Sequence, residues 1–346
     1  MKVLLVSPLP PPSGGMARWT QLFNEGCKLS DIDVKIINTS ISNKRAEQKD
    51  RKFLFGDEVR RAYRILKELK FAKANYAPDI IHICSPCSRV GLFRDYFCMR
   101  LAKETPVVFH CHCNIEDQAR TAISKVILNK IIYMSKKVFV LNLSSKKFVD
   151  AFVKNKAVLM PNFIQEKKEE TEYKVRENIH KIIYVGHVKK RKGIKEIYQV
   201  AHKFPKIEFE VAGPVQETPE DIQKPLNVNL LGEIRHDDVV KKLNDSDIFF
   251  FPSYTEGFAN VMLEAMSVGI PIIATDVGAN KDMIEDYGGI IVPVGDVEAM
   301  SQAIFELKSK EKRKEISIWN IDKVKGAYSL DKVMKKIKLQ YEEILK

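Results

Sequence analysis

Short runs of apolar residues alternate along the chain with stretches whose apolar positions recur at three- and four-residue spacing. In the first half, Lys2–Val6, Val34–Asn38, Asp79–Ile83, Pro106–Phe109, Lys137–Leu141 and Ala157–Met160 read as buried β-strands, with helical patterns between most of them. The second half repeats the scheme with strands at Lys181–Val185, Glu208–Ala212, Val228–Leu231, Ile248–Phe251, Ile270–Ala274 and Ile290–Val292, and helices at Ile194–Lys203 and Asp237–Leu243. Such alternation predicts an α/β fold with two doubly wound parallel sheets. Between the halves, Gln165–His180 is charged, poor in apolar residues and reads as a linker. The last segment, Leu330–Leu345, is amphipathic, with Val333, Met334, Ile337, Tyr341 and Ile344 at helical spacing. The expected division is therefore 1–165, 178–325 and a terminal helix within 326–346.

Composition agrees with two domains, since 346 residues with 45% hydrophobic content can fill two cores. No apolar run reaches the roughly eighteen residues of a membrane span, and Met1–Val6 is too short for the apolar part of a signal peptide, so a cytosolic protein is expected. Six cysteines in a chain of this length do not make a disulfide framework. Cys84 and Cys87 have CxxC spacing, and His110, Cys111, His112 and Cys113 form a run that suggests zinc. Cys84 and Cys111 nevertheless continue apolar strands, where a thiol packs as a small hydrophobe, and no metal site is expected.

Charge is uneven. Residues 1–165 hold 28 Lys and Arg against 14 Asp and Glu, a net +14, whereas the whole chain carries +12. On a helical wheel of Asp57–Tyr76, Ala62, Ile65, Leu66, Leu69 and Ala72 share one arc and Arg60, Arg64, Lys67 and Phe71 the opposite one. A basic face with an exposed aromatic suits an anionic membrane surface. No nucleic-acid-binding module accompanies the charge, so nucleic acid is not an expected partner.

Candidate chemistry concentrates in Phe249–Asp276. Glu256 falls in the loop after a strand and Glu264 about two turns into the next helix, so both can face one crevice at the end of a parallel sheet. The amides of Phe258, Ala259 and Asn260 start that helix and offer an anion seat. Carboxylates here would accept hydrogen bonds from a vicinal diol. After the first strand, Pro8–Pro12 and Ser13 lead to Gly14 and Gly15, where backbone amides can approach a phosphate. The pattern G-x-G-x-x-G is absent, which argues against a nicotinamide enzyme. His112 follows the strand ending at Phe109, and His110 lies on the same face. Gly186–Gly193 is a basic turn containing His187 and Lys192.

Glu256 and Glu264, with Asp247, Pro252, Ser253, Gly257, Phe258, Ala265, Met266, Gly269, Pro271 and Ala274–Asp276, resemble the E-x7-E signature of the retaining glycosyltransferases of family 4. The resemblance implies the GT-B fold, two Rossmann-like domains facing a deep cleft, with the acceptor on the N-terminal domain and a nucleotide sugar on the C-terminal one. It further implies that Glu264 binds the ribose, Glu256 the transferred sugar, His112 the donor sugar, and Lys192 the diphosphate. Relatives usually carry an arginine where His187 stands; a histidine offers no bidentate fork. Nucleoside contacts would come from Gly213 and Pro214 and from Gly232–Arg235, Ile234 among them. The expected activity is transfer, without metal or other cofactor, to a hydroxyl of a lipid-linked or polysaccharide glycan precursor, with a C-terminal helix returning to the first domain. An epimerase or phosphorylase on the same fold, or a non-catalytic subunit of a glycan assembly complex, is the alternative.

Overall fold

A computed structural model describes residues 1–11, 14–40, 55–165 and 175–346. Most of the linker reading, and the expected loop residues Pro12 and Ser13, lie outside the described residues. The chain forms two compact units, Met1–Gln165 with Leu330–Lys346, and Glu166–Ser329.

The first unit contains strands β1 (Lys2–Ser7), β2 (Asp33–Asn38), β3 (Ile80–Ser85), β4 (Val107–Cys111), β5 (Lys137–Val140) and β6 (Ala157–Leu159). Its helices are α1 (Gly15–Leu29), α2 (Phe55–Tyr76), α3 (Arg89–Ala102), α4 (Ile115–Gln118), α5 (Ala122–Met134) and α6 (Leu143–Phe152). The second unit contains β7 (Lys181–Val185), β8 (Glu208–Ala212), β9 (Val228–Gly232), β10 (Ile248–Phe251), β11 (Ile272–Thr275) and β12 (Gly289–Val292). Around them lie α7 (Ile194–Lys203), α8 (His236–Asn244), α9 (Asn260–Ser267), α10 (Asn280–Ile284), α11 (Val297–Glu306) and α12 (Lys310–Lys323). The last helix, α13 (Leu330–Leu345), packs in the first unit against α1, where a Cβ at Gly26 would meet the Met334 side chain at 2.6 Å.

Both sheets are parallel, ordered β2-β1-β3-β4-β5-β6 and β12-β11-β10-β7-β8-β9. Parallel strands covered on both faces must be apolar on both, which is why they appear in the sequence as continuous runs. In the first unit, Val3, Leu5, Cys84, Val108 and Phe139 pack with α1 and α13, while Leu4, Val6, Ile81, Ile83, Phe109 and Val140 pack with α2, α3 and α5. The strand order reverses direction between β1 and β3 and again between β7 and β10. Loops leaving the carboxyl ends of such neighbouring strands diverge, and the crevice between them is where a parallel sheet takes ligand.

Three local expectations change. Strand β11 begins at Ile272 rather than Ile270, because Gly269 (φ 78°) and Ile270 return their amides to Met266 and Ala265 and close α9. Arg64 does not share the outer arc of α2: it reaches across to the carbonyls of Asn38 and Ser40, at 3.0 and 3.1 Å. Residues 176–180 belong to the second unit's packing, since the buried Asp247 carboxylate accepts from Arg176 at 3.0 Å and from the amides of His180 and Lys181. No described helix is long and apolar enough to cross a membrane.

Candidate active site

In the second unit the reversal point between β7 and β10 sends out the two loops that hold Lys192 and Glu256. After β7, a 3-10 turn at Lys190–Lys192 ends on Gly193 (φ 81°), where a Cβ would lie 2.2 Å from the Pro252 carbonyl oxygen of the β10 loop. Only glycine allows this approach. The Tyr254 amide also donates to Arg191 O at 3.0 Å, and the Tyr254 hydroxyl to Glu196 at 2.6 Å. The tied loops bring the Lys192 ammonium onto the Glu256 carboxylate, with the two side chains only 21% and 11% exposed. Phe251 lies under the ammonium, 6.0 Å from it, and Tyr184 stacks on Phe251. Burial, then the nearby Glu256 charge, pushes the Tyr184 phenol far above its usual range, so it remains a neutral hydroxyl bonded to His187 O at 3.0 Å.

Helix α9 runs from this loop. Its buried side is Met262, Leu263, Ala265 and Met266, leaving Asn260, Glu264 and Ser267 on a partly open stripe. The helix is thus less enclosed than its composition suggests, and Glu264 lies on the open side. His236, at the start of α8, stands 3.6 Å from Glu264. Ala259 precedes α9 without a side-chain cap, and Phe258 sets its ring edge against Tyr328. The two carboxylates therefore have separate neighbours, Lys192 from the loop after β7 and His236 from beyond β9.

The ends of β7, β8 and β9 approach each other through glycines. Gly213 (φ 137°) would place a Cβ 2.0 Å from Gly186 O, and its amide donates to Gly232 O at 2.7 Å. Ile234, past β9, is partly buried. His187 is exposed, and its imidazole is held below its usual range by partial desolvation and by the Lys189 and Lys192 charges, with Glu233 opposing. It is neutral at physiological pH and supplies no fixed cation.

In the first unit, Gly14 and Gly15 open α1 at the reversal point between β1 and β3. They line a cavity of about 410 Å³ with Thr39, Ser40, Pro86 and Ser88. Gly14 has open space where a Cβ would project. His112 does not join that lining. Its ring packs 4.0 Å from His110 and 4.9 Å from Trp19 between centroids, its Nε2 is buried with no hydrogen-bond partner, and burial takes its pKa down to about 3. His110 and His82 are neutral for the same reason; His82 Nε2 lies 3.3 Å from His110 Nδ1, and His82 Nδ1 bonds the Tyr341 hydroxyl.

The CxxC pair does not gather its sulfurs. Cys84 faces the histidine side, where its Sγ and nitrogens of His82 and His110 lie within 4.8 Å of one another, whereas Cys87 packs on the other face with Cys111 and Cys113. Hydrogen bonds from those two thiols pull the Cys87 pKa down, while burial and then the bond to Cys87 push Cys111 up, and the bond to Cys87 and then burial push Cys113 up.

Two contributors were not evident from the sequence. Gly278 (φ 57°), in the loop after β11, would place a Cβ 2.3 Å from Glu256 O, and Ala279 N donates to Gly257 O, so this loop sets the height of the Glu256 backbone. Tyr254 locks the β7 and β10 loops together. A glycine three residues past a buried strand was the available signal for the first; Tyr254 had none.

Comparison with known proteins places this geometry in a family. Residues 165–343 match the model of glycosyl transferases group 1. The chain is 30% identical over 195 residues to the capsular polysaccharide biosynthesis glycosyltransferase CapM of Staphylococcus aureus, covering 50% of each chain. It is 27% identical over 168 residues to the putative teichuronic acid biosynthesis glycosyltransferase TuaC of Bacillus subtilis, covering 47% of this chain and 42% of that one. The chain thus spans about half the length of the curated relatives it matches. Among solved structures, sucrose-phosphate synthase from Thermosynechococcus elongatus superposes with a TM-score of 0.78 at 16% identity over 99% of this chain and 98% of that one. Anabaena HepE in complex with UDP-glucose gives 0.73 at 14% identity over 99% and 100%. These likenesses establish the two-domain GT-B fold. With more than half of its length matched by the family model, the chain belongs to the glycosyl transferases group 1.

Proposed function

We propose that the protein transfers a sugar, with retention at the anomeric carbon, from a nucleoside diphosphate sugar to a hydroxyl of a lipid-linked or polysaccharide glycan precursor. The observation that carries this reading is the Lys192–Glu256 pair at the β7/β10 reversal point, followed on α9 by the partly open Glu264. Lys192 takes the charge that grows on the departing diphosphate, with the start of α9 as a second seat. Glu264 accepts from the ribose hydroxyls, and Glu256, relieved of Lys192 by the diphosphate, accepts from hydroxyls of the transferred sugar. Gly213, Gly232 and Ile234 line the nucleoside end. In the first unit, Gly14 and Gly15 offer backbone amides to the acceptor, and His112, neutral when buried, brings no charge there. The bond from the anomeric carbon to the diphosphate breaks as the bond to the acceptor oxygen forms on the same face, and the acceptor proton leaves with the diphosphate. Charge is handled by side chains and backbone, without a metal.

The relatives named for capsular and teichuronic acid biosynthesis support a surface-glycan acceptor, and the HepE complex supports a nucleotide sugar. The test is Glu256→Ala. Donor binding measured by calorimetry should stay within about threefold of wild type while transfer falls by about a hundredfold or more. Unchanged turnover would remove Glu256 from the reacting sugar.

A further inference from the structure

Helices α2, α3 and α5 pack side by side on one face of the first sheet, and their outer surfaces repeat one chemistry. On α2 the exposed stripe is Arg60, Tyr63, Lys67 and Phe71; on α3 it is Arg89, Phe93, Phe97 and Arg100; on α5 it is Ile123, Val126, Lys130 and Tyr133. Each stripe advances by three or four residues, the spacing of one helix side. The large apolar members range from 46% exposed at Phe93 to 78% at Tyr133. Side chains of that size on three adjacent helices form a patch, unlike single exposed residues, which need no explanation.

The most exposed charged residues of these helices are all basic. Arg60, Lys67, Lys70, Arg89, Arg100, Lys125 and Lys130 are exposed. The acids of these helices are Asp57, Glu58, Glu68 and Asp95; Asp95 is buried, Asp57 and Glu58 are partly buried, and Glu68, with 44% of its side chain exposed, is paired with Arg64. Glu58 holds Arg61, Glu68 holds Arg64, and the buried Asp95 holds Arg94, so three acids are spent on arginines that turn inward. Lys130 stands 5.9 Å from the Tyr96 ring, which connects the α5 and α3 stripes.

We infer that this three-helix face docks on an anionic lipid bilayer. Phe93, Phe97, Phe71 and the Ile123–Val126 pair enter the headgroup boundary, and the arginines and lysines around them meet lipid phosphates. A nucleic acid would use the positive charge but leave Ile123 and Val126 exposed to water, and a bilayer accounts for both. The inference concerns a surface apart from the Lys192–Glu256 site and is read without nucleotide, so either proposal can fail alone.

The test uses the full chain in vesicle flotation at low salt, with phosphatidylcholine alone or mixed with phosphatidylglycerol. The mixed vesicles should retain at least about tenfold more protein than phosphatidylcholine, and high salt should release most of it. Phe93→Ser/Phe97→Ser should lower retention about tenfold, as should Arg89→Gln/Arg100→Gln/Lys130→Gln, while Lys314→Gln/Lys332→Gln/Lys335→Gln, on other surfaces, should float like wild type. Thermal melting confirms that each variant is folded, as expected for exposed positions. Equal retention on both vesicle types, or flotation unaffected by the aromatic pair, overturns the inference. Binding to duplex RNA or to an acidic polypeptide without flotation also overturns it and reassigns the face to a soluble polyanion.

Discussion

Replacing Lys192 by Met separates the two roles of its ammonium, as the partner of Glu256 and as the counterion of a diphosphate. Removing one member of a fully buried ion pair costs about 3–5 kcal/mol, because the remaining charge is stranded. Here the side chains keep 21% and 11% of their exposure, so water screens part of that cost and about 2 kcal/mol is expected. In a unit of about 160 residues this lowers its melting temperature by roughly 4–8 °C. Adding Glu256→Gln to Lys192→Met removes the stranded carboxylate and should restore about 1–2 kcal/mol, a clear departure from additivity. Catalysis should not follow stability. The single and double variants should both lose about a hundred- to a thousandfold in single-turnover transfer, the cost of removing one preorganised stabiliser of transition-state charge. Scanning calorimetry and single-turnover kinetics on the four proteins of the cycle give both readings. Additive melting temperatures would refute the buried pair, and near-wild-type transfer by Lys192→Met would refute the counterion role.

Two further consequences are accessible. Gly278→Ala forces a methyl against Glu256 O at a positive φ, so the second unit should lose about 1–3 kcal/mol and transfer should fall more than donor binding; a silent substitution would mean that the β11 loop does not position Glu256. His82 and His112 titrate near 3 in the folded protein against about 6.5 when unfolded, so they favour folding fully above pH 6.5 and lose that contribution as pH falls toward 3. At pH 5 each has lost about 1.5 × 1.36, or about 2 kcal/mol, so a melting temperature unchanged between pH 7 and 5 would contradict their burial.

Much of the sheet architecture was legible because parallel strands buried on both faces leave uninterrupted apolar runs. Strands Lys181–Val185, Glu208–Ala212 and Ile248–Phe251, and helix Ile194–Lys203, have the bounds expected from the sequence. Boundaries moved where a turn consumed residues of an apolar run, as at Gly269–Ile270. The family signature identified Glu256 and Glu264, but its spacing says nothing about neighbours contributed by other loops. The contact of Glu256 with Lys192 spans 64 residues, and the support from Gly278 comes through backbone. Arg64 was misplaced because the carbonyls that capture it, those of Asn38 and Ser40, lie at and just beyond the end of β2, which a wheel of α2 cannot contain. The separation of Cys84 from Cys87 was not legible, since β3 ends at Ser85 and Cys87 takes a left-handed turn conformation (φ 52°) that CxxC spacing does not encode. Asp247 shows that a motif residue can be structural: it binds amides at the start of β7.

On the proposed function, the second unit's crevice takes a nucleoside diphosphate through Lys192 and Glu264. Its most direct test is calorimetric titration of UDP, GDP and ADP into wild type, Lys192→Met and Glu264→Gln. One diphosphate should bind wild type, and each substitution should weaken it by about tenfold or more, or at least 1.4 kcal/mol. Absence of binding by all three, or equal affinity in wild type and both variants, would rule out this crevice as the nucleotide site.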